Sequence, residues 1–186
     1  MTDSDAANAP QVEVALYRDV RGWLDLAAEV EWFFGDMLGS AGFYRALLHN
    51  IERGTAFCVR EGGGPPGAPL LGGLLFSPAR PDRPEYRIGW LSVAERSRRL
   101  GVGTALVRRV FELVVPPATL SVITFGEDIE PGRAARRFYE RLGFRAAEAA
   151  PNGPEGGSRQ VFRRAFPPPQ RQPHAGGAAP PHPTTA

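Results

Sequence analysis

Arg98-Arg99-Leu100-Gly101-Val102-Gly103-Thr104 stands between two different periodicities. Upstream, Ile88-Gly89-Trp90-Leu91-Ser92-Val93 is an apolar run of strand length. Downstream, Leu106, Val107, Val110, Phe111 and Val114 recur at helical spacing and form one core-facing stripe. Two glycines therefore sit where a strand turns into a helix. A backbone without Cβ atoms lets a ligand approach closely, and the N–H groups of a helix's first turn have no partner inside it. Those donors, the helix dipole and the neighbouring Arg96, Arg98 and Arg99 make a phosphate site. The competing reading is a helix start whose glycines serve tight packing. Clustered like charges count against it, because an anion relieves their repulsion.

Arg98-x-x-Gly101-x-Gly103 resembles the Gln/Arg-x-x-Gly-x-Gly/Ala loop that holds the pyrophosphate of acetyl-CoA in the GNAT superfamily of N-acyltransferases. A second stretch, Ala134-Ala135-Arg136-Arg137-Phe138-Tyr139-Glu140-Arg141-Leu142-Gly143-Phe144, is similar to that superfamily's A-x-x-x-Y-x-x-x-G-F helix and strand. The likeness covers residues 85 to 145; the remainder follows the family by element order alone. It implies an α/β fold: a single GNAT-like domain, its mixed central sheet of six to seven strands flanked by about four helices. It also implies acetyl-CoA as cosubstrate and an amine as acceptor. The backbone amides of Leu100, Gly101, Val102, Gly103 and Thr104, with Arg98 and Arg99, would hold the pyrophosphate. Leu91 and Val93 would line the pantetheine arm, and Phe138 would join the same cosubstrate surface.

By the same resemblance Tyr139 donates a proton to the departing thiolate. Ala135, Phe138 and Leu142 share one helix face with Tyr139 at its edge, which suits a packed ring with a free hydroxyl. Packing alone is the alternative. The family often carries an asparagine seven residues before this tyrosine; here the position is Gly132. The general base is open. Attack on a thioester needs a neutral amine, so a carboxylate or a water chain takes a proton. Glu85 stands at the mouth of the central strand, and Glu127, with Asp128, follows the next strand. A solvated loop and helix start would explain the latter pair equally. A protein that binds CoA without turnover, as a sensor or interaction module, is the alternative function.

The chain has 186 residues, and none of its 22 basic residues is lysine, which excludes a P-loop lysine and a lysine Schiff base. A net charge of +2 demands no nucleic-acid partner. Cys58 is the single cysteine, alternating with apolar neighbours in a strand pattern, and is expected buried and inert. With His49 as the one histidine before the C-terminal tail, neither a Cys–His nucleophile nor a metal site is expected. No apolar run approaches membrane-spanning length, and no leader pattern opens the chain, so a cytoplasmic protein with no membrane partner is expected. The family often forms dimers, so a homodimer is compatible.

Residues 1–10 and 167–186, poor in groups to bury, are expected to be disordered tails around a domain spanning 11–166. Within it the expected elements are a strand at Val12–Leu16, a long helix from Asp19 as N-cap to Leu38, and a short helix at 43–53. Strands follow at 55–60, at 70–77 with a bulge at Gly72-Gly73, and at 86–93. After the Gly-loop helix come a strand at 120–125, a helix opened by Pro131 and stopped at Gly143, and a hairpin of 144–150 with 159–166. Asp25, Glu29, Glu31, Trp32 and Asp36 put acids along the first helix. Either a cationic acceptor or an ordinary solvated face accounts for them.

Overall fold

A computed structural model describes residues 9–31, 38, 39 and 41–169. Most of the expected tails and the expected helical residues Trp32, Phe33, Phe34, Asp36 and Met37 lie outside the described residues. Seven strands form one mixed sheet: β1 (Glu13–Val14), β2 (Ala56–Arg60), β3 (Leu70–Ser77), β4 (Tyr86–Val93), β5 (Ala118–Phe125), β6 (Arg145–Ala150) and β7 (Arg159–Phe166). Their order is β1-β2-β3-β4-β5-β7-β6, so the last strand lies inside the sheet and β6 lies at its edge. Four α-helices are described: α1 (Val20–Ala28), α2 (Ala41–Glu52), α3 (Val102–Leu113) and α4 (Arg133–Arg141).

Alternation along the strands feeds two apolar clusters, one on each face. Phe57, Val59 and Leu74 point to the face covered by α3, with Leu106, Val107, Val110 and Phe162. Cys58 and Leu75 point to the other face, with Trp23, Leu26, Leu47 and Ile51 from α1 and α2. Burying each large apolar side chain stabilises the fold by roughly 1.5–3 kcal/mol.

Gly72 and Gly73 are not a bulge. A Cβ on Gly72 would lie 2.7 Å from Val102, and one on Gly73 would lie 2.8 Å from the Trp23 ring. The two glycines let helices settle on opposite faces of β3 at one point. The register shifts fall on their neighbours: Leu71 is the extra residue of β3 against β2, between the pairs Val59–Gly72 and Arg60–Leu70, and Gly89 is that of β4 against β3, between Leu75–Trp90 and Phe76–Ile88.

Asp19 does not cap α1. No side-chain cap hydrogen bond is made there. Its buried carboxylate instead accepts from Arg60 Nε at 2.9 Å and Nη2 at 2.6 Å, and from the Leu16 and Gly67 amides. Burial alone would push the Asp19 carboxyl up; Arg60 and the two amides outweigh it and hold it below the usual carboxylate value. Cys58 is fully buried beside this group, and desolvation pushes its thiol up to about 12. The last helix opens with a 3₁₀ turn, Glu130–Gly132, before α4 begins, and Gly143 ends it at φ +83°. Among the described residues no helix is long and apolar enough to cross a membrane.

Candidate active site

Among the described residues β4 and β5 are the only parallel neighbours in the sheet, and they stay together for three residue pairs, Tyr86–Leu120, Arg87–Ser121 and Ile88–Val122. Pairing stops where the Gly89 bulge begins. Beyond that point Leu91 sits opposite Leu74 and Val93 opposite Gly72 on β3. The Ala94 amide bonds the Leu71 carbonyl at 2.9 Å. Antiparallel alternation then gives Trp90 and Ser92 to the β3 ladder and turns the N–H groups of Leu91 and Val93 toward the gap left by β5. Their side chains pack on the α3 face, while Trp90 packs on the other, its ring centroid 5.3 Å from both Trp23 and Phe43.

The chain leaves β4 through a 3₁₀ turn, Glu95–Ser97, and enters α3 through the glycine loop. Arg99 has φ +67° and Gly101 φ +82°, two left-handed residues around Leu100. Arg99 holds a conformation that costs a side chain about 1–2 kcal/mol, a cost that neighbouring structure must offset. The first helical bond runs from the Ala105 amide to the Gly101 carbonyl at 2.9 Å. The Val102, Gly103 and Thr104 amides precede it, so the helix itself gives them no partner. Gly103 also serves packing, since a Cβ there would come within 3.3 Å of the Phe138 ring and 3.4 Å of Val93. Gly101 thus serves the backbone conformation of the turn, and Gly103 the close packing of the helix. Arg98 and Arg99 are exposed. Arg96 is held 3.6 Å from Glu61, so it is less available than its neighbours.

Tyr139 is buried, its ring edge-on to Phe138 at 5.1 Å and to Phe144 at 5.5 Å. Its hydroxyl makes no hydrogen bond among the described residues, and desolvation raises the phenol above its ordinary value. Tyr139, Phe138, Leu91 and Val93 belong to one cluster on the α3 face. Gly132 has a packing reason of its own: any Cβ there would run into Phe125.

The two candidate bases separate. Glu127 is exposed just after β5, at the open end of the gap. Glu85 precedes β4 at the paired end, and Arg163 Nε donates to it at 2.7 Å. The structure therefore does not bring Glu85 to the residues of the gap. Arg163 also grips Glu148 and holds that exposed carboxyl down at about 2. The acids of the first helix are engaged as well. Asp25 pairs with Arg21 at 3.0 Å, Glu29 accepts from the Glu95 amide at 2.7 Å, and Glu31 accepts from the Leu38 amide at 2.7 Å.

Three groups at the open end escaped the sequence reading. Arg136 of α4 donates to the Phe125 carbonyl at 3.0 Å and to Gln160 at 2.7 Å, tying the helix to β5 and β7. Ser158 hydrogen-bonds Asp128, and the Gly126 amide bonds the Ser158 carbonyl at 2.9 Å, closing the β6–β7 loop over the end of β5. No spacing signal marks these contacts, because their partners lie between 11 and 32 residues apart.

Topology and loop together make this an α/β domain in which two parallel strands part beside the N-terminus of α3. It belongs to the acetyltransferase (GNAT) family, whose model matches residues 21–144. Solved structures agree at the level of the fold. The ribosomal-protein-alanine N-acetyltransferase of Brucella melitensis superposes with a TM-score of 0.65 at 15% identity, covering 84% of this chain and 99% of that one. Arabidopsis thaliana Naa50, in complex with the bisubstrate analogue CoA-Ac-MVNAL, gives 0.63 at 14% identity, with 84% and 98% covered. A protein of the GNAT family from Desulfovibrio desulfuricans gives 0.62 at 21% identity, with 83% and 96% covered. No curated protein matches the chain.

Proposed function

We propose that the protein is an N-acetyltransferase that moves an acetyl group from acetyl-CoA to a primary amine by direct attack within a ternary complex. The observation that carries this reading is the parting of β4 from β5 after Ile88 and Val122, directly upstream of the glycine loop. The pyrophosphate would rest on the Leu100 to Thr104 amides, with Arg98 and Arg99 alongside. The pantetheine arm would continue past Leu91 and Val93, whose outward N–H groups would replace the missing β5 ladder.

In the reaction the amine nitrogen forms a bond to the thioester carbonyl carbon, and the oxygen takes up negative charge. An N–H of Leu91 or Val93 stabilises it. Collapse restores the carbonyl and breaks the C–S bond, with the electron pair leaving on sulfur. Tyr139, kept protonated by burial, hydrogen-bonds the departing thiolate and supplies its proton. The proton lost by the amine passes to Glu127 or to water. Most of the acceleration comes from holding amine and thioester together.

Free-thiol release from acetyl-CoA, measured with polyamines, aminoglycosides, amino acids and N-terminal peptides, tests the reading. Release that depends on one amine class, and falls by about 10²–10⁴ in Tyr139→Phe with an unchanged circular dichroism spectrum, is expected. Tight CoA binding by calorimetry without release for any acceptor favours the sensor alternative.

A further inference from the structure

We propose a second ligand site, for a compact phosphate-type oxyanion, in the basic cavity between the end of α2 and the β3–β4 loop. The cavity has a volume of about 170 Å³ and is walled by Arg53, Arg80, Arg83 and His49 over a floor of Phe76 and Ser77. It lies at the paired end of β3 and β4, where Ser77 faces Arg87, away from the gap and the glycine loop. This proposal does not rest on the acetyltransferase reading.

Two elements bring the charges together from opposite sides. His49 lies in the last turn of α2 and Arg53 just past its end, the Arg53 amide bonding the His49 carbonyl at 3.2 Å. A helix dipole by itself explains a cation there, at about 0.3–1 kcal/mol. It does not explain the opposite wall. Arg80 and Arg83 project from a turn pinned by two backbone hydrogen bonds, 2.7 Å from the Arg80 amide to the Arg83 carbonyl and 2.9 Å in return. Of the two, Arg80 has Asp82 nearby, at 3.6 Å and largely exposed. Arg83 is half-buried, and its Nε is buried with no hydrogen-bond partner among the described residues. No carboxylate lines the cavity.

A buried guanidinium N–H without an acceptor is costly, and three arginines around one small space repel one another. An oxyanion in the cavity relieves the repulsion, and guanidinium forks match phosphate geometry. Size narrows the class. At about 170 Å³ the cavity lies below the roughly 300 Å³ of drug-sized pockets. The shared chemistry is the phosphate group, either as the free ion or as the head of a small phosphomonoester.

Calorimetric titration of the full chain with inorganic phosphate in chloride buffer tests the site. A saturable equivalent is expected that is weakened about ten- to a hundredfold in Arg83→Gln and in the exposed Arg53→Gln and that persists when Arg98 and Arg99 are both replaced by Gln, a double change that removes only what the glycine loop binds. Circular dichroism verifies that each variant is folded. Absence of saturable binding up to about 10 mM phosphate overturns the proposal. So does binding that survives in Arg53→Gln but disappears in the Arg98, Arg99 variant. Glycerol phosphate, titrated in parallel, separates the sources: tighter binding than phosphate supports an ester ligand, and weaker binding supports the free ion.

Discussion

Arg60 keeps a charge on a side chain only 1% exposed, which its partners make affordable: Asp19 at 2.6 Å and Glu13 at 2.5 Å. Removing the fully buried partner leaves that charge with Glu13 as its one carboxylate. Asp19→Ala is expected to cost about 3–5 kcal/mol, read as a drop in urea midpoint at unchanged slope. The pH dependence follows from the lowered carboxyl of Asp19. Its contribution is complete above the ordinary carboxylate value near 3.8 and is lost as pH falls through the lower folded value, so the variant should show a flatter acid limb than the parent. In the sequence this aspartate is indistinguishable from a helix cap, because both precede an amphipathic helix. Only the fold reveals that Arg60, 41 residues later, is its partner. Gly101 shows the opposite case, for a glycine between strand and helix advertises an unusual backbone. At φ +82°, Gly101→Ala should destabilise by about 1–2 kcal/mol and weaken CoA binding, measured by thermal unfolding and calorimetry.

At the scale of elements, the strands on either side of the glycine loop and α3 itself were legible because their periodicities are long and uninterrupted. β3 and β7 have the bounds that alternation indicates, Leu70–Ser77 and Arg159–Phe166. The bulge at Gly89 was not legible, since a single Gly89 and a Gly72-Gly73 pair give the same local signal, and the one beside Gly72 falls on Leu71, which carries no such signal. Which glycine bulges depends on what each faces. Gly73 faces the ring of Trp23, so Gly73→Ala should cost about 1–3 kcal/mol through overpacking and alter the near-ultraviolet signal of the tryptophans. The candidate site divides likewise. Tyr139 and the loop were marked by motif spacing, whereas the engagement of Glu85 by Arg163, 78 residues away, is a product of β7 pairing beside β5.

Across the whole molecule, β5, β7 and β6 form a ladder continuous over the full eight residues of β5, and β1 to β4 form another. Three residue pairs at one end join them. The sheet is thus two leaves bound along a short spine and unpaired at the fore-edge. Any cosubstrate that hydrogen-bonds to the Leu91 and Val93 amides becomes a temporary rung between the leaves. Its arrival should slow hydrogen exchange at those amides and also along the facing edge of β5 from Ile123 onward, measured by mass spectrometry with and without CoA. Stability would then rise with ligand concentration as the book is clasped shut.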